Sequence, residues 1–284
     1  MSVRSSGMRL IAFASLSTLL FSACASGNRD LMKRAIVESR RSLDAGDFQK
    51  AIDALKEPWG ENPGNKEWAA NFAAAVEDIH ATADRALGRK DYSLAERIYR
   101  VLLGNYADFE AVAAHLTFRK SDLETAVKYC RISRLDGAAL QALKTGDAAK
   151  ALDAYPAVLK EYPGDADLEA RYLRTVREVK AIGDKALAGK DYAQAGKMHQ
   201  LLLERYPDID GRTPGLPFGK PDLEAAIVVC RDALTKAGLS EYRNGNLAKA
   251  IAVWEDLLAF DPGNAEIKKA VETARTQLKG IRKK

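Results

Sequence analysis

The strongest constraint on this chain is that it nearly repeats itself at an offset of one hundred residues. The segment Lys90-Asp91-Tyr92 recurs as Lys190-Asp191-Tyr192, and Cys130-Arg131 recurs as Cys230-Arg231. A fixed period predicts an array of units, each of which buries its apolar face only against its neighbours. Such an array favours a binding role over catalysis, because it repeats one packing unit along the chain.

Five segments share a finer pattern. A small residue is followed nine positions later by an aromatic or aliphatic residue after a Gly/Lys–Asp/Asn turn, then by an alanine, and four positions further on by a large residue. The turn caps one helix and begins the next, and the small residues let two helix axes approach closely. The small residues are Ser39, Ala83, Ala139, Gly183 and Gly238, and the large residues are Leu55, Tyr99, Tyr155, His199 and Trp254.

This pattern resembles the tetratricopeptide repeat from about Leu31 to the C-terminus. The resemblance implies an all-α, tetratricopeptide-like α-solenoid of about five helix hairpins over residues 31–284. Successive turns, however, are separated by alternating steps of about 44 and about 55 residues, longer than the ~34 residues of the family.

The alternating steps predict where the extra residues lie. The shorter step implies elongated first helices, from Asn65 to Arg89 and from Asp165 to Gly189. The longer step adds loops at 108–121 and 208–221, after which Asp122 and Asp222 are expected to be N-caps. A capping helix from Asn264 to Lys284 closes the array.

The N-terminus has the layout of an export signal. Arg4 and Arg9 precede an apolar run at 10–21 that is too short to span a bilayer. The following Ser22-Ala23-Cys24 resembles the lipobox of bacterial lipoproteins, which implies that Cys24 becomes the acylated N-terminus. Ala25 after the cysteine favours the outer membrane by the rule for enteric lipoproteins. The alternative is an ordinary cleaved signal with a chance cysteine.

These two resemblances divide the chain into three parts. They are a lipoprotein signal peptide at 1–23, a short tether at 24–30 and the helical array at 31–284.

Signals for catalysis, metals and nucleic acid are weak. The net charge of +5 is partly contributed by the leader and the tail, and no basic stripe with interleaved aromatics predicts nucleic-acid binding. His80, His115 and His199 match no metal-ligand spacing, so neither a metal nor another cofactor is expected. Cys130 and Cys230 lie about two repeats apart in apolar-periodic stretches, which predicts buried thiols and not a disulfide. We therefore expect a protein that is not an enzyme.

The resemblance also implies a partner-binding groove lined by the inner faces of the first helices. The first groups lean acidic and the later ones basic, which would suit a partner of matching polarity. The alternative is a solvated face with random charge. The candidate residues are Glu77, His80, Asp84, Asp136, Leu140, Arg177, Lys180, Asp184, Lys236, Tyr242 and Arg243.

The inserted loops are a second candidate surface. Leu116 and Phe118 match Leu216 and Phe218 across the hundred-residue offset. Such an apolar pair either is an exposed anchor for a partner or packs back over the helices, and packing is favoured because both copies keep the same apolar positions.

The resulting expectation is an outer-membrane-anchored lipoprotein that faces the periplasm and acts as a protein–protein interaction adaptor or assembly factor. Its partners would be periplasmic or outer-membrane proteins, with the membrane contacted through the N-terminal lipid. The alternative is a lipoprotein associated with a tripartite (TRAP) transporter, which would assist periplasmic solute uptake. The sequence leaves the oligomeric state open.

Overall fold

The computed structural model of the chain describes residues 30–61, 65–210 and 216–282. The predicted signal peptide, Cys24 and most of the tether lie outside these residues, as do residues 62–64, 211–215 and 283–284. The chain divides into two compact units, the first ending at Arg134 and the second beginning at Leu135.

Both units are built of helices. The first unit contains α1 (30–44), α2 (Phe48–Glu61), α3 (Lys66–Gly88), α4 (Tyr92–Gly104), α5 (Tyr106–Phe109), a 3₁₀ helix (Glu110–His115) and the first part of α6 (Lys120–Lys144). The second unit contains the remainder of α6, then α7 (Ala148–Asp153), α8 (Pro156–Glu161), α9 (Ala166–Ala188), α10 (Tyr192–Asp210), α11 (Lys220–Arg243), α12 (Leu247–Leu258) and α13 (Ala265–Arg282). The predicted all-α class is confirmed, and α3 and α9 are the predicted long first helices.

The five predicted turns share one geometry. In each, the backbone N–H of the turn Asp or Asn donates to the carbonyl five residues earlier, at 2.8–2.9 Å. The residue before the Asp or Asn has a positive φ, which is 78° at Gly46 and 81° at Gly146 but is also adopted by Lys90 and Lys190, at 61° and 64°. This arrangement satisfies the last carbonyl groups of one helix and begins the next.

Close packing of the two helices in a hairpin depends on the predicted small residues. A Cβ added at Gly183 would lie 3.0 Å from His199 Cε1, and one added at Gly238 would lie 2.2 Å from Trp254 Nε1. The five large residues of the pattern are all buried: Leu55, Tyr99, Tyr155, His199 and Trp254. The sequence pattern therefore identified the interlocking positions of each hairpin.

Prolines have different effects in two hairpins. A proline inside a helix usually kinks or ends it, yet α10 continues through Pro207 to Asp210, and the buried Ile209 packs beyond the proline. Pro156 instead divides the second helix of the third hairpin into α7 and α8, because a proline has no N–H to donate and its ring crowds the preceding turn.

The inserted segments are also more ordered than the predicted loops. Residues 106–115 form α5 and the 3₁₀ helix, and α10 occupies the beginning of the second insertion. Asp122 and Asp222 are not N-caps, because α6 and α11 begin two residues earlier. Their carboxylates instead accept the backbone N–H of Arg119 and of Gly219, at 2.8 and 2.7 Å, which is the reciprocal half of a capping box.

Candidate partner-binding site

One face of α3 carries three of the predicted groove residues, and the chain itself covers part of this face. We call residues 116–118 the first strap. Thr117 donates both its backbone N–H and its hydroxyl to the Glu77 carboxylate, the hydroxyl at 2.9 Å. The Phe118 ring stacks on His80 with 4.2 Å between ring centroids. The first strap thus covers Glu77 and His80, and the His80 side chain is half-buried.

The third residue of this face, Asp84, joins α3 to α4. Its Oδ1 accepts the Tyr99 hydroxyl at 2.6 Å, and its Oδ2 lies 3.3 Å from His80 Nδ1. Burial and this hydrogen bond raise the pKa of Tyr99 well above its ordinary value, so the phenol remains a donor. Asp84 is therefore committed to holding the hairpin together.

The equivalent face of α9, one hundred residues later, has the same layout with different charges. Lys180 Nζ contacts both Asp184 oxygens, at 2.6 and 2.7 Å, and Asp184 Oδ1 lies 3.0 Å from the Nε2 of the fully buried His199. Although burial acts to raise the pKa of Asp184, the hydrogen bonds from Lys180 and His199 outweigh it and lower that pKa. The remaining residue of this face, Arg177, is exposed.

Two other groove candidates on α6 differ in environment. Asp136 is only 9% exposed. It accepts hydrogen bonds from Arg174 Nη2 at 2.6 Å, Arg171 Nη1 at 3.2 Å and the Tyr155 hydroxyl at 3.0 Å. Leu140 is half-buried. Asp136 is therefore part of an interior ion-pair network in the second unit and not an available groove residue, which corrects the prediction for it.

The last group lies on α11. Lys236 and Arg243 are exposed, whereas the half-buried Tyr242 ring packs 5.9 Å from the Trp254 ring. Trp254 Nε1 is buried without a hydrogen-bond partner among the described residues. The structure thus brings the predicted groove residues together in sets on single helices, which are Glu77, His80 and Asp84 on α3 and Arg177, Lys180 and Asp184 on α9.

Comparison with known protein families supports this geometry. The family model of the tetratricopeptide repeat matches residues 232–264, which include the end of α11, the turn and all of α12. The chain carries a tetratricopeptide repeat. No curated protein and no solved structure matches the chain. The other hairpins have the turn and packing geometry of the matched tetratricopeptide hairpin, as described above.

The two inserted loops hold the second candidate surface, for which the repeated apolar positions favoured packing over exposed anchoring. Phe118 and its counterpart Phe218 are only 4% and 8% exposed, and Leu116 and Leu216 are half-buried. Phe218 lies beneath Lys180, whose Nζ is 5.6 Å from the ring centroid. Phe118 and Phe218 therefore pack against the helices and are not exposed anchors, and Leu116 packs against the core of the first unit. Thr117 was missed, because a threonine in a loop carries no sequence signal and its counterpart is Pro217.

Two tryptophans of the first unit and one cysteine of each unit are buried or lie against the core. Trp68 is buried, and Trp59 stacks on Phe72 with 5.4 Å between ring centroids. Cys130 and Cys230 are free and buried, one in each unit, and burial raises the pKa of each thiol to about 11.

In residues 30–61, 65–210 and 216–282, no group of three or more His, Cys, Asp or Glu side chains is placed to hold a metal ion. No helix in the same part of the chain has both the length and the apolar composition needed to cross a membrane.

Proposed function

We propose that this protein is a lipid-anchored adaptor or assembly factor of the bacterial cell envelope, which recruits protein partners through its tetratricopeptide hairpins. The observation that carries the proposal is the tetratricopeptide repeat itself, because such repeats generally mediate the binding of protein partners. Exposed charged side chains on α9 and α11, such as Arg177, Lys236 and Arg243, leave parts of these helices available for contact.

The position at the membrane is supported by the first 24 residues. An apolar run that ends in Ser22-Ala23-Cys24 fits a lipoprotein signal, and Ala25 fits retention at the outer membrane. Several acyl chains on one cysteine give durable anchoring, where a single chain would not. With the helices beginning by Asp30, the first helix would begin within ~20 Å of the membrane surface. We propose no catalytic role.

Two experiments test the two parts of the proposal. Mass spectrometry of the mature N-terminus should find an acylated Cys24, and an unmodified peptide that begins elsewhere would contradict the anchoring. Cross-linking in native membranes followed by affinity capture should recover an envelope protein assembly. Recovery of a solute-binding receptor would instead support a role in solute uptake, and recovery of no protein would contradict the adaptor role.

A further inference from the structure

The faces of α3 and α9 are equivalent by the hundred-residue offset, but they differ in what is left for a partner. On α3 the Glu77 carboxylate accepts two hydrogen bonds from Thr117, and Phe118 covers His80. Because Asp84 is engaged by Tyr99, every polar group of this set already has a partner within the first unit. The α3 face is therefore filled by the chain itself.

The hydrogen bonds from Thr117 to Glu77 on α3 have no equivalent on α9. The counterpart of Thr117 is Pro217, which has neither a backbone N–H nor a hydroxyl to donate. The counterpart of Glu77 is Arg177, and a guanidinium donates hydrogen bonds but accepts none. Phe218 still packs beneath Lys180. The second unit therefore has the aromatic contact between the loop and the helix, but not the hydrogen bonds.

The arginine that stands in place of the glutamate has no counter-charge among the described residues, unlike its neighbours on the same face of α9. Two other arginines of α9 have carboxylate partners: Arg174 pairs with Asp136 at 2.6 Å, and Arg171 pairs with Asp136 at 3.2 Å and with Asp167 at 2.9 Å. Lys180 is neutralised by Asp184 at 2.6 Å. Arg177 is exposed, and it forms no hydrogen bond or ion pair within the described part of the chain.

We propose that the α9 face around Arg177 is the partner-binding surface and takes an acidic segment of a protein partner, whereas the α3 face is closed by the first strap. A guanidinium binds a carboxylate through two parallel hydrogen bonds, so the exposed Arg177 suits an aspartate or glutamate side chain. This inference rests on the proposed function, which supplies the protein partner, and adds the surface and the charge of the segment.

The test uses the full chain and a short fluorescein-labelled peptide of alternating glutamate and alanine, with a lysine–alanine peptide for comparison. Fluorescence anisotropy should show binding of the acidic peptide that weakens as salt is added. Arg177→Glu should weaken it on the order of tenfold, since one favourable charge is replaced by a repulsive one. Lys185→Glu is the matched control, because it makes the same charge change at another exposed position of α9 and should leave the affinity nearly unchanged.

Three results would overturn the inference: equal binding of the acidic peptide to the wild type and to Arg177→Glu, an equal loss with Lys185→Glu, or tighter binding of the lysine peptide. Capture from native membranes separates this failure from that of the proposed function. If Arg177→Glu captures the same proteins as the wild type, the adaptor role stands and the α9 assignment is wrong. If the wild type captures no protein, the adaptor role fails, and the peptide titration still decides the charge preference of the α9 face.

Discussion

Replacing Gly238 with alanine tests whether the small residue of a hairpin is needed for helix packing. An added Cβ would lie 2.2 Å from Trp254 Nε1, 2.5 Å from Cδ1 and 2.7 Å from Cε2. Unbonded heavy atoms are comfortable at about 3.5–4.0 Å, so the ring must move by more than ~1 Å. The ring is rigid and only 4% exposed, and it belongs to the core cluster of the last hairpins, so the move disturbs other packing contacts.

The expected cost follows from two opposing effects. Overpacking a well-filled core costs about 1–3 kcal/mol, and such short contacts place Gly238→Ala near the upper end. Replacing glycine with alanine within a helix raises the free energy of unfolding by about 1 kcal/mol, because alanine has the higher helix propensity. The net loss should be about 2 kcal/mol of unfolding free energy, or roughly 4–8 °C in the melting temperature of a chain of this size.

The matched control is Gly137→Ala in α6, where an added Cβ meets no atom within 4 Å. This change should keep the helix-propensity gain of up to ~1 kcal/mol without the clash. Both variants are measured by urea and thermal unfolding followed by circular dichroism. If Gly238→Ala is as stable as Gly137→Ala, the close approach of α11 and α12 does not depend on the glycine and the packing argument is refuted.

Three further predictions follow from the turns and the buried groups. Lys190→Gly should stabilise the protein by about 0.5–1 kcal/mol in urea unfolding, because the left-handed φ of 64° is strained for lysine and free for glycine. Cys130 and Cys230 should react with a thiol reagent at pH 8 only after denaturation, because both are buried. Their pKa values are raised from 9.0 to about 11, so their contribution to the free energy of unfolding should be full below pH 9 and be lost as the pH rises through about 11. Asp184→Asn should destabilise the second unit by about 1 kcal/mol at pH 7, a modest loss because the Asp184 side chain is 52% exposed. The difference from the wild type should shrink as the pH falls below the ordinary aspartate pKa of 3.8, because only the ionised carboxylate forms ion pairs and its lowered pKa is lost as a source of stability there.

The helices and their packing residues were predictable because each hairpin must satisfy the same local rules. The turn Asp or Asn, the buried alanine and the large residue four positions later recur in the sequence of each hairpin. The residue before each turn Asp or Asn has a positive φ, so the turn is set by residues that are neighbours in the sequence. Helix ends were less predictable where tertiary packing decides them. α10 passes through Pro207 because Ile209 is buried beyond it, and the sequence around the proline does not reveal that burial.

The candidate site was predictable only in part, since its residues share a face by spacing but their availability depends on contacts distant in sequence. Glu77 and Thr117 lie forty positions apart, and nothing in either segment indicates that they pair. Asp136 likewise has the spacing of a groove residue, but it is paired with Arg171 and Arg174, which lie 35 and 38 positions later in the sequence. Spacing thus placed side chains on a helix face, but could not tell which of them were already paired.

The hundred-residue offset also repeats the polar chemistry within each hairpin. In the second and fourth hairpins the residue after the small one is an aspartate, and it pairs with the large residue fifteen positions later, as Asp84 does with Tyr99 and Asp184 with His199. In the third and fifth hairpins that position is occupied by Leu140 and Leu239.

Where that aspartate is absent, the polar group of the large residue either donates to another acceptor or has no hydrogen-bond partner. The Tyr155 hydroxyl donates to Asp136, which lies on α6 one turn before Leu140. Trp254 Nε1, by contrast, has no hydrogen-bond partner among the described residues. An unpaired buried donor costs about 1–3 kcal/mol. The tryptophan still fills the slot because its large apolar area is buried against Gly238. The period of one hundred therefore contains two kinds of hairpin, one in which an aspartate directly after the small residue pairs with the large residue, and one in which a leucine occupies that position.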